Sequence, residues 1–450
     1  MRRKRRGTLS TTQIILLSFL VTILIGSLLL SLPISAADGQ PVPYIDALFT
    51  ATTATCVTGL VTLPTVTAWS VFGQIVILIL IQVGGLGVIT VMSGVMLALH
   101  RKMGLGDRLL IQDAFNLNTL SGLTAFIKRV ILGTLIVEGS GAILYMTVWI
   151  PRFGVKGIWI SVFNSISAFC NAGIDILSEN SLCEYATHPL INLVTAMLIV
   201  LGGLGYVVWW DLFRVWKERR RHWLRHLTLH SKIALVTTAV LILGGALAFL
   251  ILEYQNPLTI GELSFFDKLQ VSLFQSVTTR TAGFAAIPQQ NLTNGSAIVS
   301  LLLMFIGGSP VGTAGGIKTV TVTVLIATAI STFKSKNEVT LFHRNLTEQA
   351  VRKAIAVAGM SFLILFVSTV LLAFVTDAPA LDIVYETVSA TATVGLTRNL
   401  TPFLNTWGKL IVMATMYLGR VGPISLALVL NVKRESQNLV KNPTEEISVG

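Results

Sequence analysis

Four short polar stretches in this 450-residue chain end on glycine, and a second glycine motif follows each at a near-constant distance. The stretches are Thr55-Cys56-Val57-Thr58-Gly59, Phe169-Cys170-Asn171-Ala172-Gly173, Thr279-Arg280-Thr281-Ala282-Gly283 and Thr391-Ala392-Thr393-Val394-Gly395. Downstream stand Gly84-Gly85-Leu86-Gly87, Gly202-Gly203-Leu204-Gly205, Gly307-Gly308-Ser309-Pro310 and Gly419-Arg420-Val421-Gly422. The intervals Gly59 to Gly84, Gly173 to Gly202, Gly283 to Gly307 and Gly395 to Gly419 are 25, 29, 24 and 24 residues. Such a period marks four copies of one unit, set here at 1–100, 101–231, 232–349 and 350–450.

The solvent of these units follows from composition. Charged residues make up 12% of the chain, against about 25% in soluble domains, and the mean hydropathy is +0.76. A bilayer core of about 30 Å needs about 20 apolar residues per crossing. Eight such stretches are expected, at 12–33, 70–99, 126–150, 189–213, 232–253, 295–330, 354–375 and 405–430. With the amino terminus inside, 25 of the 33 Lys and Arg fall in inner segments, which the positive-inside rule requires. Six (Arg152, Lys156, Lys268, Arg280, Arg398, Lys409) are assigned to the outer side, and Lys318 and Arg420 to membrane depth. Both termini are therefore expected inside, and a basic face beside anionic lipid accounts for the net charge of +12 without nucleic acid. The basic start, Arg2 to Arg6, resembles a signal peptide, but the apolar run is too long and lacks an Ala-x-Ala site, so a retained span is expected.

Before each first glycine lie about ten polar residues, too few to span. Ten positions upstream stand Phe49, Phe163, Leu273 and Tyr385; six and seven upstream stand Thr52-Thr53, Ile166-Ser167, Ser276-Val277 and Val388-Ser389. These fit re-entrant helices. Backbone left extended after such a helix is tolerated only where it is buried or lines water, so the four segments must face one another. The expected fold is an all-α membrane protein: eight transmembrane helices plus four re-entrant pore helices around a single central pore.

Rings of backbone carbonyls can replace the water of a dehydrated cation, and glycine turns successive carbonyls to one side and admits close approach. Val57-Thr58-Gly59-Leu60, Arg280-Thr281-Ala282-Gly283-Phe284, the run Gly307-Gly308-Ser309-Pro310-Val311-Gly312-Thr313-Ala314-Gly315-Gly316-Ile317-Lys318-Thr319 and Gly419-Arg420-Val421-Gly422-Pro423 together resemble the Trk/Ktr/HKT superfamily of potassium-translocating proteins. The likeness covers essentially the whole chain and is strongest to the Ktr-type membrane subunit.

The resemblance implies potassium uptake through a channel-like pore. The filter would be Cys56, Val57, Thr58 and Gly59; Cys170, Asn171, Ala172 and Gly173; Arg280, Thr281, Ala282 and Gly283; and Ala392, Thr393, Val394 and Gly395, with K+ at their backbone carbonyls. In plant relatives a serine at the first filter glycine accompanies sodium selectivity; Gly59 favours potassium. Copy two departs most, with Phe169 and Asn171 where others have threonine or valine. A gating loop would comprise Gly307, Gly308, Ser309, Pro310, Gly312, Thr313, Gly315, Gly316 and Lys318, with Arg420 projecting into the pore beside it. The resemblance also implies a homodimer in a bacterial cell membrane, docked on a cytosolic ring of nucleotide-binding, RCK-type regulatory subunits, with Na+ as activator and no nucleotide bound by this chain.

Several residues carry their own expectations. Gly and Pro310 break the loop mid-span and free backbone groups that need partners. The run to Lys318-Thr319 is not a P-loop, because Ile317 intervenes and no strand precedes it. Arg420 at membrane depth needs water or a partner; its loss is expected to raise flux or weaken control. Glu138 is expected to pair with an Arg or Lys elsewhere, or to serve as the midplane carboxylate of a secondary cation symporter, the alternative to a pore. His222, His226 and His230, at i, i+4 and i+8, share one helical face, read as a solvated surface amid arginines. With His100, His188 and His343 they form no catalytic constellation, so no enzyme is expected. Three cysteines supply no disulfide framework; Cys56 and Cys170 read as small residues packed at helix ends.

Overall fold

The computed structural model describes residues 10–99, 104–115, 122–218, 223–336 and 338–422. Arg2 to Arg6, His100, Arg101, Lys102, Arg219, Arg220, Arg221, His222, Pro423, Lys433, Arg434, Lys441 and the last span beyond 422 lie outside those residues.

Among the described residues four helices are long and apolar enough to cross a membrane: Thr11–Leu30, Leu123–Phe153, Leu229–Glu253 and Glu348–Val375. Each packs against a short helix that follows it, respectively Tyr44–Cys56, Lys156–Cys170, Phe265–Thr278 and Ala380–Ala392. A third helix completes each pattern: Val71–Leu86, Pro189–Leu204, Asn294–Phe305 and Thr406–Val421. Three of their starts are set by hydroxyl or amide caps that accept from first-turn N–H groups, such as Ser70 from Gly73 N (3.2 Å) and Asn405 from Gly408 N (2.8 Å), and the start of Pro189–Leu204 by His188 Nδ1. Ser10 closes a capping box with Gln13 at the start of Thr11–Leu30, and that helix buries Phe19, Ile23 and Leu30 in the core, which suits a retained span.

Two expected spans are not straight. The stretches 70–99 and 189–213 each turn through 96° after a glycine at φ +85°, Gly87 and Gly205, into Val88–Ala98 and Tyr206–Lys217. Only glycine holds that conformation without a Cβ penalty, so the fourth residue of the first two downstream motifs is a hinge, and Gly422 holds a similar φ of +88°. The third copy has Pro310 there, and its left-handed residue is Val311 (φ 64°). The 295–330 span is likewise two helices, Asn294–Phe305 and Thr319–Phe333, joined by a non-helical loop at 306–318.

The first residue of each downstream motif is glycine for a different reason. A methyl on Gly84, Gly202 or Gly419 would overlap the carbonyl oxygens of Thr55, Phe169 and Thr391, the last turns of the short helices. In the third copy Gly307 meets Gly315 O instead, because the loop folds back into that place. Gly84→Ala should therefore lower stability by about 1–3 kcal/mol through overpacking. Gly139, with open space around it in a helix, should gain up to about 1 kcal/mol on the same change. Unfolding of the two variants in detergent, compared with the parent, checks the pair.

The all-α expectation needs one amendment. A two-stranded antiparallel hairpin pairs Thr340–Leu341 with Arg344–Asn345 in the linker after Phe333, its turn made by Phe342 and His343 in left-handed conformations. A second correction concerns the aligned aromatics. Phe49, Phe163 and Tyr385 are fully buried, but Leu273 is 40% exposed and Phe274 takes the buried position. The third copy is one residue shorter between aromatic and glycine.

Candidate functional site

The four short helices end in the core at their glycine segments. Three of them stop at a left-handed residue two before the glycine, Val57, Asn171 and Thr393 (φ 54°, 59° and 51°). The fold of the turn is fixed by a bond from the next residue to the carbonyl five back: Thr58 N to Thr53 O (2.9 Å), Ala172 N to Ser167 O (2.8 Å) and Val394 N to Ser389 O (2.8 Å). In the third copy Ala282 N (3.0 Å) and Gly283 N (3.4 Å) both reach Thr278 O, an acceptor five residues before the glycine instead of six, as the shortened spacing demands.

This register adds Thr278 to three hydroxyl residues already aligned in the sequence. Thr53, Ser167, Thr278 and Ser389 are equivalent, and each hydroxyl ties down the extended segment. Thr53 Oγ1 accepts from Gly59 N and Ser389 Oγ from Gly395 N, both at 3.0 Å; Ser167 Oγ donates to Ile174 O (2.5 Å) and Thr278 Oγ1 to Phe284 O (2.6 Å). Counting back a fixed number from Gly283 lands on Val277, which hid the fourth hydroxyl.

The glycines form a closed ring in chain order. All have positive φ (97°, 63°, 83° and 98° from Gly59 to Gly395). A Cβ on Gly59 would lie 2.5 Å from Ala172 O and one on Gly173 2.6 Å from Ala282 O; on Gly283 and Gly395 it would overlap Val394 O and Thr58 O. Each glycine thus abuts the carbonyl that precedes the next copy's glycine, and the fourth returns to the first. The hydroxyls of Thr55, Thr58, Thr281 and Thr393 are buried here with no hydrogen-bond partner among the described residues, an arrangement costly unless a ligand or water meets them. Cys56 and Cys170 are the buried last residues of their helices, as read from sequence.

The loop at 306–318 packs against this ring. Its base is pinned by Gly307 N to Ile317 O (3.0 Å) and Thr319 N to Gly308 O (3.0 Å). Ser309 N and Thr313 N donate to Gly203 O (2.8 Å) and Gly202 O (3.1 Å), and Thr313 Oγ1 donates to Phe169 O (2.9 Å). That last bond occupies the carbonyl in the copy that departs most from the pattern. Gly312 lies against Gly202 O, a Cβ on Gly315 would overlap the Thr393 hydroxyl, and Gly316 holds φ +65°. The Lys318 amino group turns back onto Ala314 O (2.5 Å), so it serves the loop's own backbone.

Two arginines hold the loop. Arg420 donates to Thr313 O (2.6 Å), Gly84 O (2.5 Å) and Gly85 O (3.2 Å), bridging the loop to the first copy's glycine motif. Arg280 was assigned to the outer side; its side chain is instead 7% exposed and donates to Gly307 O (3.3 Å) and Thr238 Oγ1 (3.5 Å). It occupies the position of Cys56, Cys170 and Ala392, and the longer side chain reaches past the helix end to the loop.

Other expectations change. Glu138 is buried, but its partners are Gln82 Nε2 (3.2 Å) and the Cys170 thiol, and no Arg or Lys pairs with it among the described residues. His226 and His230 do not share a continuous helix: Trp223–His226 ends, and Thr228 caps Leu229–Glu253 while bonding Asp211 (2.8 Å). Among the described residues no group of His, Cys, Asp and Glu is arranged to hold a metal ion.

The family model described as "Cation transport protein" (TrkH) matches residues 3–442. Ktr system potassium uptake protein B of Bacillus subtilis is 40% identical over 439 residues, covering 97% of this chain and 96% of the relative. The chain belongs to the TrkH/Ktr family. The potassium/sodium uptake protein NtpJ of Enterococcus hirae is 37% identical and covers 100% of this chain and 99% of its own length. The crystal structure of the potassium transporter TrkH from Vibrio parahaemolyticus superposes with a TM-score of 0.76, covering 96% of this chain and 87% of that one, at 17% identity. The likeness shows that this chain shares the helical fold of that transporter.

Proposed function

We propose that this chain takes up potassium across a bacterial cell membrane through a pore on the axis of its four glycine segments. The observation that carries the reading is the closed ring, in which each of Gly59, Gly173, Gly283 and Gly395 abuts a carbonyl of the next copy beside threonine hydroxyls without protein partners. Such a ring offers oxygen ligands without a fixed charge, strong enough to replace water and weak enough to release the ion. The relatives' names, potassium uptake for the Ktr protein and potassium/sodium uptake for NtpJ, support a monovalent cation as cargo.

On this reading Tyr44–Cys56, Lys156–Cys170, Phe265–Thr278 and Ala380–Ala392 are pore helices, and eight segments cross the membrane with both termini inside. The four long helices, the two bent pairs, the pair flanking the loop and the last helix supply the crossings. The loop at 306–318 is the gate, and Arg420 is both its tether and an electrostatic barrier. A homodimer on a nucleotide-binding regulatory ring, activated by sodium, follows the Ktr likeness. The symporter alternative rests on Glu138, whose carboxylate sits behind the second pore helix with two neutral partners.

Uptake by a potassium-uptake-deficient strain at low external potassium, together with rubidium flux into vesicles holding the purified chain, tests the reading. Flux independent of a fixed sodium or proton stoichiometry supports the pore; strict stoichiometry supports the symporter. Ser389→Ala removes the acceptor of Gly395 N, leaving a buried N–H that costs about 1–3 kcal/mol. Discrimination of potassium over sodium should drop while the protein still folds, measured as sodium competition against rubidium uptake.

A further inference from the structure

We propose that the basic, tryptophan-rich face formed by Lys128, Arg129, Trp210, Phe213, Trp216 and Lys217 binds the headgroup of an anionic phospholipid, and that this contact sets the position of the intramembrane loop. The second half rests on the pore reading above; the first stands on the face itself.

Helix Tyr206–Lys217 leaves Pro189–Leu204 at 96°, so where the latter crosses the bilayer the former runs along its surface. One side of it, Tyr206, Val208, Asp211 and Val215, is buried. The other carries a continuous aromatic band: Trp210 meets Phe213 edge-on at 6.1 Å, and Phe213 meets Trp216 at 5.8 Å, with Phe213 52% and Trp216 74% exposed. At such a level exposed Trp216 offers an apolar body for acyl chain and an N–H for the headgroup region, while the Trp210 N–H is buried and that ring contributes its face.

Charge selects the lipid. Arg129, at the start of Leu123–Phe153, lies 5.7 Å from the Trp210 ring centre, which brings it alongside the band, and exposed Lys128 precedes it on the same helix. Lys217 is exposed at the far end of the band. Among the described residues these three make no ion pair with a carboxylate. The acid of this helix, Asp211, faces inward and is taken by Arg214 (2.6 Å) and by Thr228 N and Oγ1 (2.8 Å each). A cation near an anionic membrane surface gains roughly fivefold in affinity, so three favour a phosphate-bearing anionic headgroup over a zwitterionic one. A second copy of the same face is equally basic and would repel it.

The helix also reaches the loop and the ring. Tyr206 N donates to Val311 O (3.0 Å), and Trp209 packs edge-on against Phe169 at 5.8 Å, one residue before the end of the second short helix. A lipid that fixes the outer end of this helix fixes the loop contact at its inner end.

The test uses the full chain in nanodiscs of phosphatidylcholine with added phosphatidylglycerol, reading tryptophan quenching by brominated forms of either lipid. The native chain should be quenched more by brominated phosphatidylglycerol at equal mole fraction, and salt should erode the preference. The K128Q/R129Q/K217Q variant should lose it by on the order of tenfold or more, and R129Q alone serves if that variant does not fold. Equal quenching by the two lipids in the native chain, or a preference kept in the variant, overturns lipid binding, as does a variant that changes oligomeric mass and not lipid preference. Rubidium flux should change between discs' lipid mixtures reconstituted as vesicles with and without phosphatidylglycerol. Preference without any flux change overturns the coupling to the loop; absence of flux in every lipid sinks the pore reading and leaves the lipid result standing.

Discussion

Arg420→Ala is expected to raise regulator-independent rubidium influx into vesicles by on the order of a hundredfold, from a conductance that the parent chain holds nearly closed. The guanidinium donates to Thr313 O, Gly84 O and Gly85 O, and a charged donor contributes about 1.5–3 kcal/mol per bond. Removing the bond to Thr313 alone shifts a loop equilibrium by about 3 kcal/mol, enough for a hundredfold change in the open fraction while the closed form dominates. The loss of a positive charge beside the ring works in the same direction. Arg420→Lys should fall between the two, because an ammonium cannot bridge three carbonyls on two elements as a planar fork can. Influx through the alanine variant equal to that of the parent, in protein of unchanged stability, would remove Arg420 from the gate.

Gly59→Ser should abolish growth at low external potassium and shift the remaining flux toward sodium. Gly59 holds φ +97°, where an L side chain is strained, and its Cβ would lie 2.5 Å from Ala172 O and 3.2 Å from the Cα atoms of Gly173 and Gly395. The ring must open locally to admit it, so the carbonyl spacing changes at the site where discrimination is made. Strain of about 1–3 kcal/mol at this backbone conformation, acting on ligands shared between two copies, predicts a loss of potassium uptake of at least about tenfold. Gly59→Ala separates the causes: it brings the same clash without a hydroxyl. Equal loss in both variants assigns the effect to backbone geometry, whereas sodium flux in the serine variant alone assigns it to the added oxygen. Growth of both variants like the parent at low potassium would count against a filter at this ring.

The fourfold pattern was legible because its cause is local. A glycine that ends a polar helix recurs in all four copies, a glycine that must pass under that helix's last turn in three of them, and both are constraints of backbone contact that survive the drift of side chains. Gly84, Gly202 and Gly419 show this directly, since each faces the same carbonyl in its own unit. The bends at Gly87 and Gly205 were not legible, because an apolar run continues through both and hydropathy carries no direction. The equivalence of Thr278 with Thr53, Ser167 and Ser389 was hidden by a single missing residue in the third copy. Arg280 was misplaced because a charge near an apparent loop reads as surface until the loop's carbonyls are located. Glu138 was expected to find a cation, but Gln82 and Cys170 were nearest once three helices had packed, and they satisfy the carboxyl without a counter-charge.

By itself the sequence determined the solvent, the repeat and the glycines that backbone contact demands, because these follow from composition and from spacing within each unit. Tertiary structure decided which carbonyl faces which glycine, that the ring closes from the fourth copy to the first, and that Arg280 holds the start of the loop and Arg420 its middle. Apart from the Arg280 bond to Gly307, those contacts join residues more than a hundred positions apart, and the reach and direction of a side chain across such a gap depend on how helices pack, which a linear pattern does not encode.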